Sequence, residues 1–178
     1  DPDAGQTLTY SIINGNTYNA FVINENTGDL SVNNSAALNY EIIMSFGLAV
    51  QVLDNGQGNL YSQAVITVYL TDINENPDIS NQTFYLFENS PNGTLAGIVE
   101  ASDPDAGQTL TYSIIDGNAD NAFAIDANTG SLTVNDSSVL NFEINPFFWL
   151  TIRVQDNGPG NLFSQAVITV GLMNINVN

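Results

Sequence analysis

The sequence contains no cysteine, no histidine and no lysine, and its single basic residue among 178 is Arg153. Without cysteine there is no disulfide, thiolate nucleophile or zinc finger, and without histidine no imidazole base or imidazole ligand. The 19 Asp and Glu leave a formal net charge of -18, so nucleic acid and anionic membrane are repelled rather than recruited. No apolar run approaches the ~20 residues needed to cross a bilayer. No signal peptide opens the chain, which says nothing against secretion, because a mature chain has lost it.

What remains is a chain with room for about two small domains. Hydrophobic residues make up 43% of it, enough for compact cores. Only 11% of residues are charged. Such acidity is either a solvated surface, with carboxylates scattered, or a set of cation sites, with carboxylates clustered. Few charges and abundant asparagine favour clustering.

An internal repeat dominates the organisation. The segment DPDAGQTLTYSI begins at Asp1 and again at Asp103, and residues 1–76 lie on 103–178 without a gap. The period has the size of a complete domain. It divides the chain into a module over 1–76 and a module over 77–178. The stretch 77–102 has no counterpart before Asp1, so the first module is expected to lack its opening strand or two. Its core would then be open and its edge unpaired, to be completed by a longer array or by a strand from a neighbouring chain.

The segments read as short strands. Residues 7–13 and 109–115 alternate polar and apolar side chains, as a half-buried strand does. Asn14-Gly15 and Asp116-Gly117 are turn signals. Further strands are expected at 21–23, 30–32, 48–52 and 64–68. In the second copy they fall at 123–125, 132–134, 150–154 and 166–170. Residues 83–87 and 95–101 supply its opening strands. No segment carries a helical period, and the fold class is all-β, a β-sandwich in each module.

Between the modules stands Asp72-Ile73-Asn74-Glu75-Asn76-Pro77. Its side chains alternate carboxylate and amide, all oxygen donors, and an extended linker also offers free carbonyls. A hard cation such as Ca²⁺ takes six to eight oxygens of these kinds. Further donors are expected from Glu41 in LNYE, Asp103 and Asp105 in DPD, and Asp156 in DNG. Each motif alone also has a plain structural meaning. DPD and DNG make good turns, and Glu41 and Glu143 are ordinary solvated carboxylates. The recurrence of glutamate, acidic linker, DPD and DNG in order and at domain spacing favours the metal.

The blocks F.I...TG.L, LNYE/LNFE, V.DNG, DINENP and the FEN at 87–89 occupy the order used by the cadherin domain family. The whole chain resembles that family, especially the repeats of bacterial surface proteins. The resemblance implies tandem seven-stranded Greek-key β-sandwiches of immunoglobulin-like architecture, with Ca²⁺ as the cofactor between successive domains. It makes Glu41 the glutamate shared by two ions, Asp72 and Glu75 linker carboxylates, and Asn74 the linker amide. Ile73 and Asn76 give backbone oxygens, and Asp103, Asp105 and Asp156 form the second domain's cage. At weaker outer junctions Asp1, Asp3 and Asp54 serve the preceding site, and Glu88 and Glu143 the following one.

The departures bear on affinity. Asn39 and Asn141 stand where the family carries an aspartate, so about two ions are expected at the central junction. The last linker reads Asn174-Ile175-Asn176-Val177-Asn178. It has lost two of the carboxylates of 72–76 and should bind Ca²⁺ weakly.

These features describe a structural or adhesive module of an extracellular, cell-surface tandem array. It would be stiffened by Ca²⁺ as an adhesin stalk or filament segment, with neighbouring modules and other copies in a fibre as its partners. The alternative is a carbohydrate-binding accessory module of a secreted protein. An enzyme is not expected, since the carboxylates lie at domain ends and no nucleophile–base pair is available. Sequons at Asn33, Asn81, Asn92 and Asn135 are candidate glycosylation sites. Pro146-Phe147-Phe148-Trp149 differs most from its counterpart, Met44-Ser45-Phe46-Gly47. Core packing of alternate residues accounts for it. An exposed aromatic surface docking another chain or a sugar ring is the competing reading, favoured if Phe147 and Trp149 both meet solvent.

Overall fold

The computed structural model describes residues 5–175, and the chain packs as two units, Asp1–Ile73 and Asn74–Asn178. Asp1 and Asp3 lie outside the described residues. The only helical pieces among those described are 3-10 turns three residues long, as the missing helical period implies.

The first unit holds β1 (Leu8–Asn14), β2 (Phe21–Ile23), β3 (Leu30–Val32), β4 (Ser45–Asp54) and β5 (Tyr61–Tyr69). They form a sheet in the order β1-β4-β5 and a hairpin β2-β3. Both pairings of β4 are antiparallel, in register from Ser45↔Tyr69 to Leu53↔Tyr61 with β5. Alternation aims Phe46, Leu48 and Val50 inward, where they pack with Ala20, Phe21 and Ala37. Phe21 meets Phe46 edge-on, with centroids 5.1 Å apart.

The second unit continues with β6 (Gln82–Phe87), β7 (Leu95–Ile98), β8 (Thr111–Asp116), β9 (Phe123–Ile125), β10 (Ser131–Val134), β11 (Phe147–Gln155) and β12 (Phe163–Met173). One sheet has the order β6-β12-β11-β8 and the other β7-β10-β9. Their inner faces enclose a single core that includes Leu132, Leu140, Leu150, Ile152, Ile168 and Val170. Phe123 and Phe148 repeat the edge-on ring pair at 5.2 Å. β6 lies parallel to β12, and the two sheets of this unit hold seven strands.

The two copies differ where β6 and β7 contribute. No strand pairs with the outer edge of β5 among the described residues. Ile66 of β5 is 40% exposed, whereas Ile168, its counterpart in β12, is 0% exposed. Val32 of β3 is likewise exposed and Val134 of β10 buried. Matching strand positions therefore bury different amounts, because β6 and β7 pack against the second core and no strand stands in their place over the first among the described residues.

Several strand limits differ from the sequence reading. β4, β5, β11 and β12 are longer, since a strand paired on both sides or against a long partner keeps its ladder beyond its apolar centre. β7 stops at Ile98 rather than at 101, and its register with β10 shifts between Leu132 and Thr133. Asp116-Gly117 leads out of β8 with Gly117 at φ 78°. A Cβ there would strike the carbonyl oxygen of Trp149, so only glycine fits this close crossing.

Candidate metal centre

The second unit builds one acidic cage from three loops. In the first, Pro104 keeps Asp103 out of the helical region. The Asp103 Oδ1 then accepts the N–H of Asp105 at 2.9 Å. This side-chain turn sets Asp105 against the linker and Asp103 beside Asp105. In the second, Asp156 closes its own loop, with Oδ1 accepting from Gly158 N–H and Leu162 N–H, each at 3.0 Å. Its other oxygen, Oδ2, faces the linker, where it accepts from Asn74 Nδ2. The loops are tied together where Thr109 N–H donates to Asn157 Oδ1 at 2.9 Å.

The linker is the third wall. Glu75 N–H donates to Asp105 Oδ2 at 3.0 Å, and the Glu75 and Asp105 carboxylates come within 4.8 Å of one another. Asn74 Nδ2 donates to Asp156 Oδ2 and to the Pro159 carbonyl, both at 3.1 Å, while Asn74 Oδ1 accepts from Gln108 Nε2. A Cβ on Gly158 would collide with Asn74 Oδ1 and the Gln108 amide; the glycine of DNG is what lets the linker approach. Ile73 is highly exposed, Asn76 is exposed, and Pro77 is buried.

The electrostatics of this cage are unfavourable as they stand. Asp105 is 7% and Asp156 4% exposed. Asp103 Oδ2 is buried without a hydrogen-bond partner. Burial, followed by the charges of Asp105 and Asp156, pushes the Asp103 carboxyl above the usual carboxylate range. No protein cation relieves it. Arg153 is the only basic side chain in the sequence, and it spends itself on Gln155 Oε1 at 3.2 Å and the face of Phe163 at 3.9 Å. Buried carboxylates without a counter-charge are costly. A donor set made wholly of oxygens fits a hard divalent cation such as Ca²⁺.

The first unit repeats the loop chemistry. Asp54 Oδ1 accepts from Gly56 N–H at 2.9 Å and Leu60 N–H at 3.2 Å, and Asn55 Oδ1 accepts Thr7 N–H at 2.9 Å. At its other end the carboxylates of Glu41 and Asp72 approach within 4.8 Å. Asn39 Oδ1 caps the intervening turn by accepting Ile42 N–H at 2.9 Å. An amide does this as well as an aspartate would, at the loss of one negative charge.

At the far end of the second unit Glu88 is nearly buried. Its Oε1 accepts Ile175 N–H at 2.8 Å and its Oε2 accepts Phe142 N–H at 3.2 Å. These backbone donors, Ile175 first, pull the carboxyl below its ordinary value against its burial. Glu143 Oε1 accepts Asn174 Nδ2 at 3.1 Å.

The structure thus brings Asn74, Glu75, Asp103, Asp105 and Asp156 together, pairs Glu41 with Asp72, and seats Glu88 and Glu143 at one end. Gln108 and Asn157 were missed as cage-builders. Their signal was available, since Gln6 and Asn55 stand at the matching places of the first copy. Asn33, Asn81, Asn92 and Asn135 are all exposed, yet Asn33 and Asn135 donate their amide nitrogens to the carbonyls of Asn19 and Asn121.

Comparison with known proteins points one way. A family profile described as the cadherin domain matches residues 1–71 and 82–173. A Fat-like cadherin-related tumor suppressor homolog of Drosophila melanogaster is 32% identical over 185 residues, covering 100% of this chain and 4% of that protein. Human Cadherin-23 is 37% identical over 164 residues, covering 88% of this chain and 5% of that protein. The chain therefore spans a small fraction of these relatives. The crystal structure of mouse Cadherin-23 EC22-24 superposes with a TM-score of 0.67 at 27% identity, covering 95% of this chain and 53% of that one.

Proposed function

The chain belongs to the cadherin domain family, and from that premise we propose that it is a Ca²⁺-stiffened spacer in an extracellular adhesive array. It is a structural module and not an enzyme. The observation that carries this reading is the Asp103 Oδ2 atom, buried without a hydrogen-bond partner beside the buried carboxylates of Asp105 and Asp156.

Asn74, Glu75, Asp103, Asp105 and Asp156, with the Asn76 carbonyl, form the half of the junction site that the second unit supplies. Glu41, Asp72 and the Ile73 carbonyl form the other half. Residues 72–76 join the halves covalently, so an ion held by both must fix the linker. Bound Ca²⁺ supplies positive charge and oxygen coordination. With the site unfilled, the carboxylates repel one another and only the hydrogen bonds of Asn74 and Glu75 hold the linker; with it filled, the carboxylates are cross-tied and the array behaves as a rod. Extracellular modules of this kind typically bind with Kd near ~10⁻⁴–10⁻³ M, matched to millimolar calcium outside cells. Asp1, Asp3 and Asp54 would serve the preceding junction. Glu88 and Glu143 would serve the following one more weakly, because Asn174 stands there in place of a carboxylate. Such a segment belongs at a cell surface, as an adhesin stalk or a filament segment whose partners are its neighbouring repeats. Asn33, Asn81, Asn92 and Asn135 are acceptors for glycans where the host attaches them.

Small-angle scattering on the chelator-stripped chain, with and without millimolar Ca²⁺, tests the stiffening. A narrower distribution of inter-unit distances on adding calcium is expected. Superimposable profiles would reject it.

A further inference from the structure

One sheet face of the second unit gathers exposed aromatic side chains. β6, β12 and β11 are adjacent strands, and none contains an Asp or Glu; their only charge is Arg153. On the outward side of these strands Phe147 is 42% and Trp149 60% exposed, and Tyr85 and Phe87 are exposed as well. The cross-strand register explains the cluster. Phe147 pairs with Gly171, and Gly171 pairs with Tyr85. A Cβ on Gly171 would touch both rings, at 2.8 Å from Tyr85 Cε1 and 3.2 Å from Phe147 Cε1. The two aromatics therefore close over the bare glycine, and Trp149 stacks beside Phe147 at 6.0 Å with a 31° tilt. Phe148, between them, is buried against Phe123. The strand thus needs only alternate residues for its core. The first unit carries Ser45, Gly47 and Tyr69 at the places of Phe147, Trp149 and Gly171, so the platform is not a requirement of the fold.

We propose that this aromatic face is a lateral docking surface for the same face of a second copy of the chain. Charge selects the occupant. A basic partner would be drawn to the carboxylate-rich ends, not to strands without an acid. For two chains of net charge -18, like charges oppose association, whereas β6, β12 and β11 meet their own copy with no acid among them; the one acid in the strands of this sheet is Asp116 of β8, opposite Thr151. An isologous contact presents each patch to its own copy. With Trp149 near the two-fold axis, each Arg153 lies four residues away, roughly 13 Å along its strand, so the two cations stay apart. Exposed aromatic clusters of this kind are what stable contacts bury.

Sedimentation velocity over a concentration series, in chelator and at millimolar calcium, reads the association. It is paired with the emission of Trp149, the only tryptophan in the sequence. The expected result is a monomer–dimer shift with a blue shift of Trp149, both strengthened by monovalent salt, which screens the like charges. Phe147→Ser with Trp149→Gly, the residues the first unit tolerates at those places, should leave a folded monomer. Thr169→Glu, which sets a carboxylate opposite Trp149, should abolish the dimer while keeping the fluorophore. A chain that stays monomeric with unchanged emission would overturn the proposal, as would a dimer that survives both variants. A soluble hexose oligosaccharide that shifts Trp149 emission while the chain remains monomeric would also overturn it, and assign the face to sugar.

Discussion

The backbone N–H of Glu75 donates to Asp105 Oδ2 at 3.0 Å, so the linker is already fastened to the DPD loop that shares its cage. Asp105→Asn keeps an oxygen able to accept that N–H and removes one negative ligand. Calcium affinity should fall by at least about tenfold, with little change in the melting temperature of the calcium-free chain. Calorimetric titration beside a thermal scan reads both.

Asp103→Asn should act on the calcium-free chain itself. The Asp103 carboxyl is held above the ordinary carboxylate range in the fold. The native state therefore keeps its proton more tightly than the unfolded chain, and that contribution is lost as pH rises through the folded value. At neutral pH the charged form destabilises the calcium-free second unit. The amide should raise its melting temperature while shrinking the increment that calcium adds. A lower melting temperature without calcium would contradict the cage as drawn.

Glu88 reports on acid. Its carboxyl is held below the ordinary value by Ile175 and Phe142 N–H groups. The stabilisation is present above the unfolded value and is lost as pH falls through the folded one, in the region below about pH 4. Glu88→Gln should lower the melting temperature at neutral pH and flatten the acid limb of the second unit's stability profile. Identical acid limbs in the two proteins would contradict this role.

The uneven cores predict uneven mutational costs. Ile168→Ala removes a side chain with 0% exposure and should cost about 2–5 kcal/mol. Ile66→Ala, in the same sequence context within AVITV but 40% exposed, should cost less than half as much. Urea unfolding of the single variants compares them directly.

Much of this was legible in the sequence because the repeat supplied its own control. Alternation marked the centres of β4, β11 and β12, and the recurrence of DPD, linker and DNG gathered Asn74, Glu75, Asp103, Asp105 and Asp156 before any geometry was known. Strand ends were not legible. β11 reaches Phe147 because β12 pairs with it along its whole length, and pairing depends on the partner rather than on local pattern. Gln108 recurs with Gln6 in the DPDAGQ block, but a neutral amide does not read as a cage residue until Asn74 is seen to lie against it. The exposure of Trp149 was likewise open, since alternation decides which residues share a face but not which face meets the core.

Calorimetric titration of Ca²⁺ into the chelator-stripped chain, read with its melting temperature, tests the central claim most directly. The account predicts binding of about two ions with micromolar to millimolar Kd and a raised melting temperature. Absence of binding heat with an unchanged melting temperature would contradict it, and would leave the carboxylates of the cage as a buried repulsion without a purpose.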